Sequence, residues 1–220
     1  MSILVIGSEA RLEAVARGIG QNWKADFWIW PSRTGPGWHQ YGLIIDLEAD
    51  ERESPAFSVA NEAFWAFQAV KRPLWEILPS QVWHTRAVGI NLLPGFCERP
   101  LLEVSACGAK AEARFRALLP QTEITFVPDQ VGMVSPRILS LILNEALLLA
   151  EETDTPLSTI DTAVKLGLNY PRTIQEWGSW MGWTHVRDVV LALSQRYGAD
   201  HYPVAQKLIT LEGLASPAQG

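Results

Sequence analysis

The sequence predicts an α/β domain that is followed by an all-α domain. Two observations lead to this fold class. In the first part of the chain, short apolar runs alternate with segments of helical periodicity, which is typical of a mostly parallel sheet covered by helices. Beyond Pro128 every periodic segment is helical. We therefore assign residues 1–128 to a sheet domain and residues 129–220 to a helical domain.

The sheet domain begins with a compact apolar strand and a helix in which Leu12, Val15 and Ile19 recur at helical spacing. Later apolar runs predict five more strands, and two later segments predict helices. The predicted strands are Ser2–Ile6, Asp26–Trp30, Leu43–Leu47, Ala87–Leu92, Leu101–Ala106 and Glu123–Val127, and the predicted helices are Ala10–Ile19, Asn61–Val70 and Ala109–Leu119. This alternation is of the Rossmann kind.

The segment from Trp30 to Gly42 indicates that the sheet domain is abbreviated. Its sequence, WPSRTGPGWHQYG, is rich in turn residues and has no helical or strand periodicity. In a full dinucleotide-binding half, a helix and a strand would lie between the second strand and Leu43. We therefore expect a Rossmann-like parallel sheet that lacks one helix and one strand.

The helical domain opens with Val134–Glu152, which is apolar all round and is therefore predicted to lie in the core. Thr155 to Ser158 carries a helix-start signal, and Gly167 is a predicted C-cap. The other predicted helices are Ser158–Leu166, Thr173–Met181, Val186–Tyr197 and Val204–Leu211. Trp177, Trp180 and Trp183 follow one another at three-residue spacing, which predicts core or interface packing on one helix face.

Composition excludes several classes of function. The net charge is −6 without any basic run, which argues against a nucleic-acid groove. The longest apolar stretch, Ile138–Ala150, is interrupted by Asn144 and Glu145 and is too short to span a membrane. Cys97 and Cys107 have no metal-ligand spacing, so we expect no metal site. Without a signal-peptide pattern, the expected location is the cytoplasm.

The order of motifs from Asp129 to Gly213 resembles the C-terminal domain of the 3-hydroxyacyl-CoA dehydrogenases. The matching segments read DQVGMVSPRILSLILNEALLLAEE, STIDTAVKLGLNYPRTIQEWGSWMGW and RYGADHYPVAQKLITLEG. The matching residues are Arg137, Asn144, Glu145, Ala146, Ile160, Asp161, Gly167, Tyr170, Pro171, Gly182, Tyr202 and Pro203. The resemblance implies NAD as cofactor, a homodimer formed through the helical domain, and an acyl-CoA cleft with one wall in that domain. Under this resemblance, the alternative role for Trp177, Trp180 and Trp183 is to line that wall.

The cofactor turn of that family is matched only in part. Gly7 corresponds to the first glycine of the dinucleotide-binding turn, whereas Glu9 and Leu12 stand where the second and third glycines belong. A carboxylate beside a diphosphate is electrostatically unfavourable. The acidic residue at the end of the second strand is replaced by Trp30. We expect that NAD does not bind in the family's usual mode and that Gly7 only leads into a helix capped by Ser8.

The catalytic residues of the family are also incompletely matched. The segments GINLL and LLEV resemble the family's Gly-x-His-Phe-Phe and Val-Glu-Val, so that Glu103 matches the orienting glutamate and Asn91 replaces the histidine. A carboxamide cannot act as a general base near neutral pH. Pro136 stands in place of the family's asparagine, and an ungapped count assigns the serine position to Val70. Glu103 is then either the base itself or a half-buried strand residue bonded to Asn91 or to the backbone.

Three hypotheses about function follow. The first, which we favour, is a non-catalytic, dimeric relative of the 3-hydroxyacyl-CoA dehydrogenases that binds acyl-CoA or a partner protein. The second is an active dehydrogenase, or another acyl-CoA enzyme, with a rearranged site. The third is an interaction module in which the sheet domain only supports the dimer.

Overall fold

The computed structural model describes residues 2–30, 37–53, 62–78 and 85–214. The chain divides into two compact units, Met1–Met133 and Val134–Gly220. The first unit is built on a sheet, and the second contains only helices among its described residues. An α/β unit followed by an all-α unit is the predicted fold class.

The first unit contains a seven-stranded sheet in the order β2-β1-β3-β4-β5-β6-β7. All neighbouring strands run parallel except β5 and β6, which are antiparallel. Strands β1, β3, β4 and β5 are buried throughout, as expected for parallel strands covered on both faces. The strands are β1 (Ile3–Gly7), β2 (Ala25–Ile29), β3 (Leu43–Asp46), β4 (Phe64–Gln68), β5 (Ala87–Ile90), β6 (Leu101–Ala106) and β7 (Glu123–Val127).

The sheet is abbreviated at the β2 end, as predicted from the turn-rich segment. Strand β2 pairs with one side of β1, and the next strand in the sequence, β3, pairs with the other side. In the described part of the chain, β2 therefore forms the edge of the sheet. Between β2 and β3 the chain forms a short 3₁₀ turn at Trp38–Gln40. Residues 31–36 of the predicted loop lie outside the described residues.

The helix predicted at Asn61–Val70 is wrong, because the described part of this segment forms β4. Its sequence, FWAFQ, combines aromatic residues with an apolar run that is buried at all five positions. A short buried strand cannot be distinguished from a buried helix by apolar periodicity alone. The helices of the first unit are α1 (Glu9–Arg17), α2 (Leu74–Ile77), which was not predicted, and α3 (Ala109–Leu118).

Among its described residues, the second unit has five helices close to the predicted ranges. They are α4 (Ser135–Thr153), α5 (Leu157–Gly167), α6 (Ile174–Met181), α7 (Trp183–Tyr197) and α8 (Gln206–Thr210). Helix α6 has a capping box formed by Thr173 and Glu176. Gly167 is not the predicted C-cap, because it is the last residue of α5 and the left-handed conformation falls on Asn169.

The predicted single stripe of three tryptophans is also wrong. Trp177 and Trp180 lie on α6 and contact each other edge to face, with ring centroids 5.1 Å apart. Helix α6 ends at Met181, and Gly182 turns the chain with a φ of 85°. Trp183 therefore begins α7, where it is buried. Three-residue spacing did not reveal the glycine turn between the second and third tryptophans.

Candidate functional site

The turn between β1 and α1 is the position at which Rossmann folds bind a diphosphate. Gly7 ends β1, and a Cβ atom added there would lie 3.1 Å from Leu47 Cβ. The backbone N–H of Ser8 donates to Glu48 Oε1 at 3.0 Å. Ser8 is the N-cap residue of α1, as predicted, but its side chain makes no capping hydrogen bond. Glu9 is exposed in the first turn of α1.

Glu48 is held in place by a buried ion pair at the end of β3. Asp46, which is fully buried, accepts hydrogen bonds from both terminal nitrogens of Arg52 at 2.8 and 2.9 Å. These two hydrogen bonds make the contact between Arg52 and Asp46 bidentate, which is the strongest geometry for an arginine–carboxylate pair. Asp46 Oδ1 also accepts the Glu48 N–H at 3.1 Å, and Arg52 lies 3.9 Å from Glu48 Oε2.

Further charged side chains extend this arrangement toward β4 and β5. Asp50 Oδ2 accepts the N–H groups of Val70 and Lys71, each at 2.8 Å. Lys71 Nζ lies 2.9 Å from Glu51 Oε1. Arg11 on α1 is buried, and its Nη2 donates to the carbonyl of Leu92 at 3.1 Å while its Nη1 lies 3.7 Å from Glu51.

We call these charged residues the β3 network. It consists of four carboxylates and three cations, namely Asp46, Glu48, Asp50, Glu51, Arg11, Arg52 and Lys71. All three cations contact carboxylates of the network itself. Sequence reasoning did not identify the network, since the residues that contact one another lie up to 40 positions apart.

Burial raises the pKa of Asp46, and it raises the pKa of Asp50 from 3.8 to about 6. The folded state therefore binds more protons than the unfolded state, and the stabilisation linked to Asp50 is lost as the pH rises through about 6. We therefore expect the free energy of unfolding of wild type to fall by roughly 3 kcal/mol relative to that of Asp50→Asn as the pH rises from about 4 to about 7. Urea unfolding of both proteins across this range measures the difference, and parallel pH profiles would contradict the assignment.

The structure brings Asn91 and Glu103 together. The antiparallel register of β5 and β6 continues past Ile90, so that the Asn91 N–H donates to the Glu103 carbonyl at 3.0 Å. Asn91 Nδ2 donates to Glu103 Oε2 at 3.5 Å, and both side chains are buried. Asn91 Oδ1 accepts the Leu93 N–H at 3.3 Å. The amide thus has structural partners on both of its polar atoms.

Gln68 is a further buried polar residue that sequence reasoning missed, and it lies at the carboxyl end of the central strand β4. It ends β4, it is fully buried, and its Oε1 accepts the Leu92 N–H at 2.9 Å. A polar residue at the end of an apolar run was the available signal, but the run was interpreted as a helix. Arg11 binds the Leu92 carbonyl, so the two side chains together fix the backbone that follows β5.

The remaining residues that the sequence singled out are Val70, Pro136 and the two cysteines. Val70 is buried, and its carbonyl accepts the N–H of Gly132 at 2.6 Å. Pro136 is buried in the first turn of α4, where proline is favoured. Cys97 is buried, which raises the pKa of its thiol to about 11, whereas Cys107 is exposed. In the described ranges, no cluster of His, Cys, Asp or Glu could hold a metal ion.

The family-motif residues of the helical unit tie its helices together. Asn144 on α4 donates through Nδ2 to the carbonyl of Pro203 at 2.8 Å and accepts the N–H of Ala205 at 3.0 Å. Asp161 on α5 accepts the N–H groups of Ile174 and Gln175 at the start of α6, at 2.8 and 3.3 Å.

Arg137 contributes a third tie within this unit. It donates to the hydroxyl of Tyr202, and its guanidinium lies 5.2 and 5.4 Å from the ring centroids of Tyr197 and Tyr202.

None of the helices in the described part of the chain is long and apolar enough to cross a membrane.

Comparisons with known proteins agree with these motifs. Residues 132–218 match the family model of the 3-hydroxyacyl-CoA dehydrogenase C-terminal domain. A stretch of 76 residues is 34% identical to 3-hydroxyadipyl-CoA dehydrogenase of Escherichia coli (strain K12). That stretch covers 34% of this chain but only 16% of the relative, far less than two thirds of its length.

Two solved structures have the same fold over most of their length. FadB2 of M. tuberculosis is similar with a TM-score of 0.76 and 13% identity, covering 94% of this chain and 92% of that one. The (S)-3-hydroxybutyryl-CoA dehydrogenase PaaH1 of Ralstonia eutropha is similar with a TM-score of 0.72 and 14% identity, covering 95% and 92%. Residues 132–218 therefore resemble the C-terminal domain of the 3-hydroxyacyl-CoA dehydrogenases, and the chain as a whole shares the fold of these two solved structures.

Proposed function

We propose that this protein is a 3-hydroxyacyl-CoA dehydrogenase-like protein without dehydrogenase activity, which acts as a homodimeric acyl-CoA-binding or accessory protein in the cytoplasm. The observation that carries the proposal is the environment of Asn91. Its amide donates to Glu103 and accepts the Leu93 N–H, at the position that the family resemblance assigns to the catalytic histidine. Oxidation of a hydroxyl group needs a base that takes up the proton, and a carboxamide has no such equilibrium near neutral pH.

The residues at the β1–α1 turn do not fit NAD in the family's mode. Glu48 accepts the Ser8 N–H that would otherwise face the diphosphate, and Leu47 packs against Gly7. Strand β2 ends in Ile29, followed by Trp30, so no carboxylate is available there for the ribose hydroxyls.

The helical unit supports the homodimer part of the proposal. Three large apolar side chains of this unit, Ile138, Leu166 and Leu168, are 56%, 80% and 63% exposed. A second copy of the chain would remove such side chains from water. Sedimentation equilibrium tests this directly, with a dimer as the expected species.

The alternative is an active dehydrogenase or another acyl-CoA enzyme with a rearranged site. One observation favours it, because Glu103 lies buried at the position of the family's glutamate and could in principle take the proton itself. An assay with NADH and acetoacetyl-CoA distinguishes the two hypotheses. We expect no oxidation of NADH in the presence of acetoacetyl-CoA, together with a rise in melting temperature when acetoacetyl-CoA alone is added.

Each outcome of this assay selects one hypothesis. Consumption of NADH would establish the alternative and overturn the proposal. Stabilisation by acyl-CoA without NADH oxidation supports a binding protein. If neither ligand changes the melting temperature, the protein is an interaction module and the acyl-CoA part of the proposal is wrong.

Asn91→His restores the residue type that the family uses as a base. We expect its rate of NADH oxidation with acetoacetyl-CoA to stay at the background, because the variant still lacks a fitting cofactor turn. Asn91→Ala serves as the matched control for loss of the amide, and melting curves confirm that both variants fold. A rate in Asn91→His that is absent from Asn91→Ala would demonstrate that NAD binds productively.

A further inference from the structure

We propose that Glu48 is a built-in substitute for a phosphate group and that its carboxylate keeps anions out of the β1–α1 turn. This inference rests on the proposed function and explains how the chain excludes the cofactor. According to this proposal, a single side chain excludes anions from the turn, and the missing glycines alone do not account for the exclusion.

The first step is the position of the Glu48 carboxylate. The start of an α-helix carries unpaired N–H groups and a partial positive charge, which together favour a bound anion. In α1, a nine-residue helix, the Ser8 N–H donates to Glu48 Oε1 at 3.0 Å. The carboxylate of Glu48 therefore makes the hydrogen bond that a phosphate oxygen would make at this helix.

The second step is that the carboxylate is fixed. Arg52 contacts Glu48 Oε2 at 3.9 Å, and Arg52 is itself anchored by two hydrogen bonds to the fully buried Asp46. The guanidinium carbon of Arg52 also lies 5.5 Å from the ring centroid of Trp30. The Glu48 backbone also donates to Asp46, which holds the main chain as well as the side chain.

The third step is that the neighbouring cations already have a carboxylate partner. Arg11 extends from α1 to the Leu92 carbonyl and to Glu51, and Lys71 pairs with Glu51. The β3 network holds four carboxylates and three cations. Removal of one carboxylate, Glu48, takes one negative charge out of the network and frees the Ser8 N–H at the same time.

The test uses the full chain and two probes, inorganic pyrophosphate and NADH. Glu48→Ala removes the carboxylate, whereas Glu48→Gln keeps an oxygen that can accept the Ser8 N–H. Glu13→Ala is the matched control, because it removes the same charge from an exposed position on the same helix. Melting temperatures are recorded for all four proteins with and without each probe.

We expect pyrophosphate to raise the melting temperature of Glu48→Ala by about 2–4 °C at roughly tenfold excess over its Kd. Wild type, Glu48→Gln and Glu13→Ala should not respond. The inference is overturned if Glu48→Ala responds no more than Glu13→Ala. A response of wild type to NADH with none to pyrophosphate would instead contradict the proposed function, so the two failures are distinguishable.

Discussion

Asn144→Ala is expected to lower the free energy of unfolding of the helical unit by about 1–3 kcal/mol. Asn144 is buried, and it satisfies the carbonyl of Pro203 and the N–H of Ala205, a residue that is fully buried. Alanine leaves the buried Ala205 N–H without this partner, which costs about 1–3 kcal/mol, whereas the carbonyl of the exposed Pro203 can bond to water instead.

Urea unfolding followed by far-UV circular dichroism measures this loss. Glu145→Ala is the matched control, because Glu145 is the next residue on the same helix and is exposed. We expect the control to unfold within about 0.5 kcal/mol of wild type, as exposed substitutions usually do. Equal midpoints for the two variants would mean that the Asn144 hydrogen bonds do not hold the unit together.

Gly178→Ala is expected to destabilise the same unit by about 1–3 kcal/mol or more. A Cβ atom at this position would lie 2.1 Å from Cε2 and Cζ2 of Trp183, which is far inside van der Waals contact. Trp183 is buried at the start of α7 and cannot move away without leaving the core. The glycine therefore permits the close approach of α6 to the first tryptophan of α7.

Gly167→Ala is the control, since a Cβ atom there would meet nothing within 4 Å. Gly167 lies in α5, where alanine is favoured over glycine, so we expect a gain of up to about 1 kcal/mol. Thermal unfolding of the two variants should shift in opposite directions. A Gly178→Ala protein as stable as wild type would show that Trp183 can repack.

Several parts of the molecule were predictable because the signals are local. The apolar runs of β1, β3 and β5 and the five helical patterns led to the fold class, and the short connection after β2 led to the abbreviated sheet. Motif residues such as Asn144 and Asp161 were identified by resemblance. Their hydrogen bonds, which join α4 to residues 203–205 and α5 to α6, became visible only in three dimensions.

The rest depended on information that a local pattern does not contain. Strand β4 was mistaken for a helix because burial on both faces removes the alternation of a strand. The contact between Glu48 and Ser8 joins residues 40 positions apart, and nothing in the sequence near Ser8 predicts it. The pairing of Asn91 with Glu103 was predicted as one of two alternatives, and their β5–β6 register accounts for it.

The most direct test of the central claim is the response of the Ser8 backbone amide in wild-type protein to NADH. Isotope-labelled protein is titrated with NADH while the amide resonance of Ser8 is followed by nuclear magnetic resonance. Because the Ser8 N–H is bonded to Glu48, we expect its resonance to stay unchanged throughout the titration. A saturable shift of the Ser8 resonance would mean that NADH displaces Glu48, and it would contradict the account.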